Sequence, residues 1–202
     1  VAQRLQVGID RLVAAARRIA ARRFEPVPVE SGDLRALSAA MDTAAGMLAS
    51  AERLDRVLLD AGMLCARGLD LPVLLAELQG ILERAVPVFS LSLTNVLPGG
   101  LVERAAAHPA GLVPVGAASR QPVASAGLLG RAVLGRRGVI DNEAGTGDGA
   151  RAERMRELGV TALAAVPLIV EDEVFGVLAL ARAAPATFAP EHAPFLATLG
   201  TQ

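Results

Sequence analysis

The sequence holds no lysine, no tryptophan and no tyrosine, and a single cysteine, Cys65, in 202 residues. Without lysine there is neither a Schiff-base amine nor a P-loop lysine. Without Tyr or Trp there are no platforms of those types on which nucleobases stack. One cysteine forms no internal disulfide, so nothing points to an oxidising compartment, and relays needing two or three thiols are excluded. Charge of one sign is lacking as well. The 20 basic residues, every one an arginine, oppose 21 acidic ones, for a net charge of −1. No global field draws in nucleic acid, and no nucleic-acid partner is expected. The longest uncharged apolar run, near Ala162 to Val170, is too short for a bilayer span, and the first residues lack the apolar core of a signal peptide. The chain is expected to be soluble. Starting at Val1 and not at methionine, it reads as a piece of something longer.

What is present is alanine, 40 residues of it, with leucine and arginine. Up to about Val86 nearly everything reads as helix. Ile9, Leu12, Ala16 and Ile19 step by three and four, a heptad seam. Glu25-Pro26-Val27-Pro28 then forces extended backbone after Phe24. A second seam follows Ser31-Gly32-Asp33 through Leu34, Leu37, Met41, Ala44 and Leu48, with Asp33 placed to cap the helix start and a register slip near Ala51. Seams this narrow predict a parallel bundle of two chains, hence a homodimer. Helix, extended connector and helix over about residues 5–52 resemble the HAMP domain of bacterial membrane receptors. The likeness rests on the Ile9–Ile19 seam, the Phe24–Val29 connector and Gly32-Asp33-Leu34-Arg35-Ala36-Leu37. The sequence departs from the family at Gly8, Arg35 and Met41-Asp42, and an ordinary helical hairpin is the alternative reading.

Residues 53–67 continue as a linking helix, broken at Arg67-Gly68-Leu69-Asp70-Leu71-Pro72. Asp70 is placed as the N-cap of the next helix, with Pro72 just inside it. Its broad apolar face, with Leu71, Leu74, Leu75, Leu78, Ile81 and Leu82, is expected to pack on the sheet that follows. From Pro87 onward short apolar runs alternate with Gly and Pro turns, the texture of a mixed α/β domain. Strands are expected at Phe89–Leu97 and Leu101–Ala107, a helix near Gly127–Gly135 and a strand at Gly138–Asp141. A helix over Ala150–Leu158 and a hairpin of Ala162–Val170 with Val174–Ala181 come next, and a last helix begins near Pro190-Glu191. This order resembles the GAF domain over about residues 68–202. The likeness is carried by Gly127-Leu-Leu-Gly-Arg-Ala-Val through Val139-Ile140-Asp141, by Ala165-Val166-Pro167-Leu168 through Gly176-Val177-Leu178-Ala179-Leu180, and by Pro185 through Phe188 and Glu191. The fold class is therefore α+β, a helical HAMP-like coiled-coil arm (1–52) joined to a GAF-like antiparallel sheet flanked by helices.

The resemblance implies a cavity between one sheet face and the Asp141–Leu158 segment, with Asp141, Asn142, Arg151, Met155 and Arg182 as candidate ligand-binding residues. It also removes options. The Asn-Lys-Phe-Asp-Glu signature of cyclic-nucleotide members is absent, Cys65 precedes the domain where bilin-attaching members need their cysteine, and sulfoxide-reducing members need several thiols.

Other constellations compete. Gly145-Thr146-Gly147-Asp148-Gly149-Ala150 fits G-x-G-x-x-A between strand and helix, with Glu171-Asp172-Glu173 after the next strand, so a nucleotide-dependent enzyme is one alternative. Against it, three residues separate strand from glycines, and the later strand reads as a hairpin return. His108 and His192 have no partner at ligand spacing, so no metal and no cofactor are expected, with haem on His108 as the remaining alternative. Ser125, His108 and Asp141 lack a nucleophile elbow. Arg17, Arg18, Arg22 and Arg23 read as a solvated helix end or as a contact with anionic lipid.

The reading that follows is a non-catalytic, dimeric signal-transduction segment of a membrane-bound sensor. It would lie on the cytoplasmic side of an inner membrane and relay a shift to an output kinase or cyclase. A GAF-like sensor whose input is a small ligand (a cyclic nucleotide, haem or a metabolite) is the second reading.

Overall fold

The computed structural model describes residues 32–190 and 192–200. The expected first seam of Ile9, Leu12 and Ile19, the Phe24–Val29 connector and the arginines from Arg17 to Arg23 lie outside the described residues. The chain divides at Asp55/Arg56 into two compact units.

The first unit contributes most of helix α1 (Gly32–Cys65). Of the expected second seam, Leu34, Leu37 and Met41 lie where side chains are not described; Leu48 is 49% exposed and its neighbour Met47 68%.

The second unit begins with the last turns of α1, where Val57, Ala61 and Leu64 are buried. Their spacing of four and three residues is that of one helix face. Asp60 accepts an ion pair from Arg84 Nη1 at 2.8 Å. Helix α2 (Leu71–Leu82) starts where Pro72 supplies a preset φ and needs no donor. Asp70 holds the N-cap position, but its side chain makes no capping hydrogen bond, contrary to the expectation. Leu75, Leu78 and Leu82 are buried, each contributing on the order of 2 kcal/mol, whereas Leu71 remains exposed.

The sheet has six strands: β1 (Ser90–Leu97), β2 (Leu101–His108), β3 (Gln121–Pro122), β4 (Val139–Asp141), β5 (Val160–Val170) and β6 (Glu173–Ala183). Their order is β3-β2-β1-β6-β5-β4, and every neighbouring pair is antiparallel. Gly99 and Gly100, both at positive φ, close the β1–β2 hairpin, a conformation that costs a side-chain-bearing residue. Helices α3 (Leu128–Gly135), α4 (Ala150–Glu157) and α5 (His192–Leu199) complete the unit.

Alternation along the strands gives the sheet two faces. On one, Ala165 and Val177 pack against Leu128 and Ala132 of α3, and Ala181 and Val160 pack beside Met155 and Leu158 at α4. The opposite-facing Val166, Leu178 and Leu180 are buried, with α2 on β1 and β2 and α5 on β5. Gly130 fixes how α3 is seated. A Cβ there would fall on the Val123 carbonyl oxygen, so only glycine lets the helix lie against the short turn Val123–Ser125.

Candidate ligand cavity

Between the α3–α4 side and the sheet lies a cavity of about 440 Å³. Its floor is made of small residues on β1, β2 and β6: Ser90, Ser92, Ala107, Ala179 and Ala181. With floor side chains this short, the helices bridge over the sheet without filling the space beneath. Leu128 and Leu129 of α3 and Met155 and Leu158 at α4 form apolar walls, and Leu112 and Val113 of the β2–β3 connection close a further side. The volume and the mixed lining fall in the range of small-molecule sites.

One charged side chain enters this lining because of a register shift. Strand β1 pairs Leu93 with Ala106 but Thr94 with Arg104, so Ala105 is an extra residue in β2. The bulge breaks the two-residue alternation and re-aims side chains, and both Arg104 and Ala107 line the cavity. Arg104 is held at two points. Its backbone N–H donates to Ser119 Oγ at 2.8 Å, and Nη1 donates to the Pro114 carbonyl at 2.6 Å. Its Nε is buried and has no acceptor among the described residues, as is also true of Arg182 Nε. Burial pulls the guanidinium below the ordinary arginine pKa, yet arginine stays charged at neutral pH. None of the described residues lining the cavity is Asp or Glu. His108, at the end of β2, and Gln121 add polar groups, and Gly127 to Leu129 bring the uncapped N-terminus of α3 to the rim.

The expected binding residues are placed differently. Met155 lines the cavity; Asp141, Asn142 and Arg182 do not, and the Arg151 side chain is outside the described ones. Asp141 Oδ1 accepts the Glu143 N–H at 3.0 Å, a local turn contact. Asn142 grips the backbone of Phe188: its Nδ2 donates to the carbonyl at 2.9 Å and its Oδ1 accepts the N–H at 2.8 Å. Arg182, 8% exposed, donates from Nη1 to the Thr187 carbonyl and lies 5.5 Å from the Phe188 ring centroid. Both side chains clamp the segment after β6, which explains why neither is free to meet a ligand. The polar residues that reach the cavity come instead from β1, β2 and the 109–127 connection, a stretch without periodicity. The signal available in the sequence was a charged residue before three alanines, Arg104-Ala105-Ala106-Ala107.

Gly145 and Gly147 turn their carbonyls to Arg156 Nη1 at 2.9 and 3.0 Å, and no residue from 145 to 149 lines the cavity. The strands on either side of α4 pair antiparallel, so the βαβ crossover that a dinucleotide site requires is missing. Ser125 and His108 both line the cavity but Asp141 does not. His192 Nδ1 accepts the Ala189 N–H at 3.0 Å and the ring stacks edge-on against Phe188. Cys65, at the end of α1, is not among the lining residues, and desolvation holds its thiol above the ordinary pKa. Among the described residues no helix is long and apolar enough to cross a membrane.

No curated protein matches the chain. Solved structures share its fold. The GAF domain of nlh2 from A. aeolicus, in an inactive state, is 14% identical with a TM-score of 0.58, over 75% of this chain and 93% of that one. The GAF domain of an Acinetobacter phosphoenolpyruvate-protein phosphotransferase is 21% identical with a TM-score of 0.54, over 75% and 87%. Free methionine-R-sulfoxide reductase from Neisseria meningitidis, solved with its substrate, is 19% identical with a TM-score of 0.54, over 77% and 86%. That neighbour overturns one expectation: an enzyme shares this fold, so the fold gives no ground for a chain without catalysis. A family model described as the GAF domain matches residues 71–202. With well over half of its residues matched, the chain belongs to the GAF domain family.

Proposed function

We propose that this chain is the sensing segment of a signal-transduction protein, in which a small molecule bound in the cavity sets the state of a dimeric helical relay. The observation that carries the reading is the cavity itself. Its walls come from α3, α4 and the β2–β3 connection, its floor from the sheet, so a ligand touches several separate elements at once. Only a ligand with different affinity for two arrangements of those elements shifts their balance, and a cavity between separate elements is where such a difference arises. The relay half of the reading rests on α1. In its last turns one face is buried through Val57, Ala61 and Leu64, while Leu59 and Met63, one turn apart on another face, are 69% and 64% exposed. A second copy of the helix would cover them, as in a two-chain bundle. In this reading residues 5–52 act as a HAMP-like arm next to an inner membrane, and a kinase or cyclase outside this chain receives the shift.

Two measurements test the proposal. Light scattering of the 202-residue chain is expected to give a dimer that Leu59→Glu with Met63→Glu converts to monomer. A wild-type monomer at high concentration would end the relay half. A thermal-shift screen of metabolites is expected to find a compound whose stabilisation disappears in Ala179→Leu, a variant that fills the floor. Stabilisation that survives the filling would place the ligand elsewhere.

A further inference from the structure

We infer that residues 111–115 form a hinged strap along one side of the cavity, open in this structure, which closes by completing a hydrogen bond between Arg154 and the Leu112 carbonyl. This deepens the sensing proposal and rests on the same cavity. The strap lies between two anchored points. Before it, His108 still pairs with Leu91 in the sheet. After it, Ser119 Oγ accepts the Arg104 N–H at 2.8 Å and donates to the Gly116 carbonyl at 2.7 Å, and Arg120 forms an ion pair with Glu103 at 2.6 Å. Between these points no backbone hydrogen bond ties residues 109–115 to any described strand or helix. A segment with so few backbone bonds opens at far lower cost than the whole domain. Gly111 and Gly116 bound it at positive φ, 80° and 65°, and a Cβ added at either would meet no atom within 4 Å. Glycine lets the backbone turn there, and nothing packs against it to stop the turn.

Two arginines hold the strap, and they hold it unequally. Arg104 Nη1 donates to the Pro114 carbonyl at 2.6 Å, a firm tether from β2. Arg154 of α4 reaches the Leu112 carbonyl from Nη2 at 3.5 Å, beyond the ordinary range of such a bond. Its Nη1 is paired with Glu157 at 2.9 Å, so the guanidinium is already held in place. Leu112 and Val113, between the Gly111 hinge and the Pro114 tether, line the cavity and are half-buried. The floor residues Ser92, Ala107 and Ala179 are half-buried as well, so the cavity is not sealed. A swing of the Leu112 end about the tether completes the Arg154 bond and draws two apolar side chains towards the α4 wall. A ligand that touches those side chains better in the closed position shifts the balance towards it.

The test is methyl relaxation-dispersion NMR on the 202-residue chain labelled at Leu and Val. The Leu112 and Val113 methyls are expected to exchange on the microsecond-to-millisecond scale, while Leu75 and Leu82, buried in α2, do not. Arg154→Met is expected to lower the closed population about fivefold, the worth of one net hydrogen bond, and Arg154→Lys, which keeps a charged donor, to lower it less. The Arg154 side chain is 54% exposed, so both variants are expected to fold. Leu112 and Val113 methyls without exchange, or exchange that Arg154→Met leaves unchanged, would overturn the strap. The strap and the sensing reading fail separately. A compound from the thermal-shift screen is expected to make the closed position the major one, and binding that leaves both methyl sets unmoved overturns the strap while sensing stands. Exchange that depends on Arg154, with no compound found to bind, supports the strap and counts against sensing alone.

Discussion

Asn142 is the residue at which the roles of clamp and ligand contact separate most clearly in experiment. Its amide makes two hydrogen bonds to the Phe188 backbone, at 2.9 and 2.8 Å, across 46 residues of sequence. Asn142→Ala removes both and leaves a backbone N–H and carbonyl without these partners in a half-buried place. Each bond contributes about 1 kcal/mol net, and water reaches the vacated groups in part, so the loss is about 2 kcal/mol. For a chain of this size that lowers the melting temperature by roughly 4–8 °C. The chain lacks Trp and Tyr, so the assay is calorimetry or far-ultraviolet circular dichroism and not intrinsic fluorescence. Because Asn142 does not line the cavity, affinity for a compound found in the thermal-shift screen is expected to stay within about twofold of wild type at a temperature where both are folded. Two results would refute the reasoning. A melting temperature equal to wild type removes the clamp, and an unchanged melting temperature with lost binding restores Asn142 as a ligand contact.

Three further outcomes are expected. Gly130→Ala drives a Cβ into the Val123 carbonyl oxygen, which is backbone and has little room to yield, so a loss of about 2 kcal/mol or more is expected in denaturant unfolding; a neutral variant would mean that α3 is seated differently. Ala179→Leu places a branched side chain on the cavity floor, and stability is expected to change by less than about 1.5 kcal/mol while binding of a compound found in the screen is lost; unchanged binding would show that the cavity is not the site. Cys65, held above its ordinary pKa by desolvation, carries less thiolate at neutral pH than a free thiol. Its reaction with a disulfide reagent is expected to be slower than that of glutathione and to gain rate only as pH rises towards the raised value; a faster reaction contradicts the desolvation.

Much of the architecture follows from local rules that a single chain displays. Pro98-Gly99-Gly100 between two apolar runs makes a hairpin because glycine alone reaches that turn cheaply, and the structure has β1 and β2 on either side of it. Pro72 and the leucines at 75, 78 and 82 write a helix with a buried face. The cavity residues were less legible. Asn142, Asp141 and Arg182 sit near the expected place in sequence, but hydrogen bonds to distant backbone or a local turn take up their side chains. Arg104 lay in a strand whose alternation gave no hint of the bulge at Ala105, because a bulge is set by pairing with β1 and not by composition.

The sequence by itself determined the absences that narrow the chemistry, the succession of helices and strands, and the supply of small residues: no lysine, one thiol, 40 alanines. Those are properties of residue type and short-range spacing. Only the tertiary structure decided what the alanines are for. Strands β1, β2 and β6 become neighbours through antiparallel pairing across as many as 91 positions, as at Ser90 and Ala181. That juxtaposition lays short side chains side by side under two helices and leaves room for a ligand. Which residues share a face is fixed by long-range register, and register is a property of the folded chain.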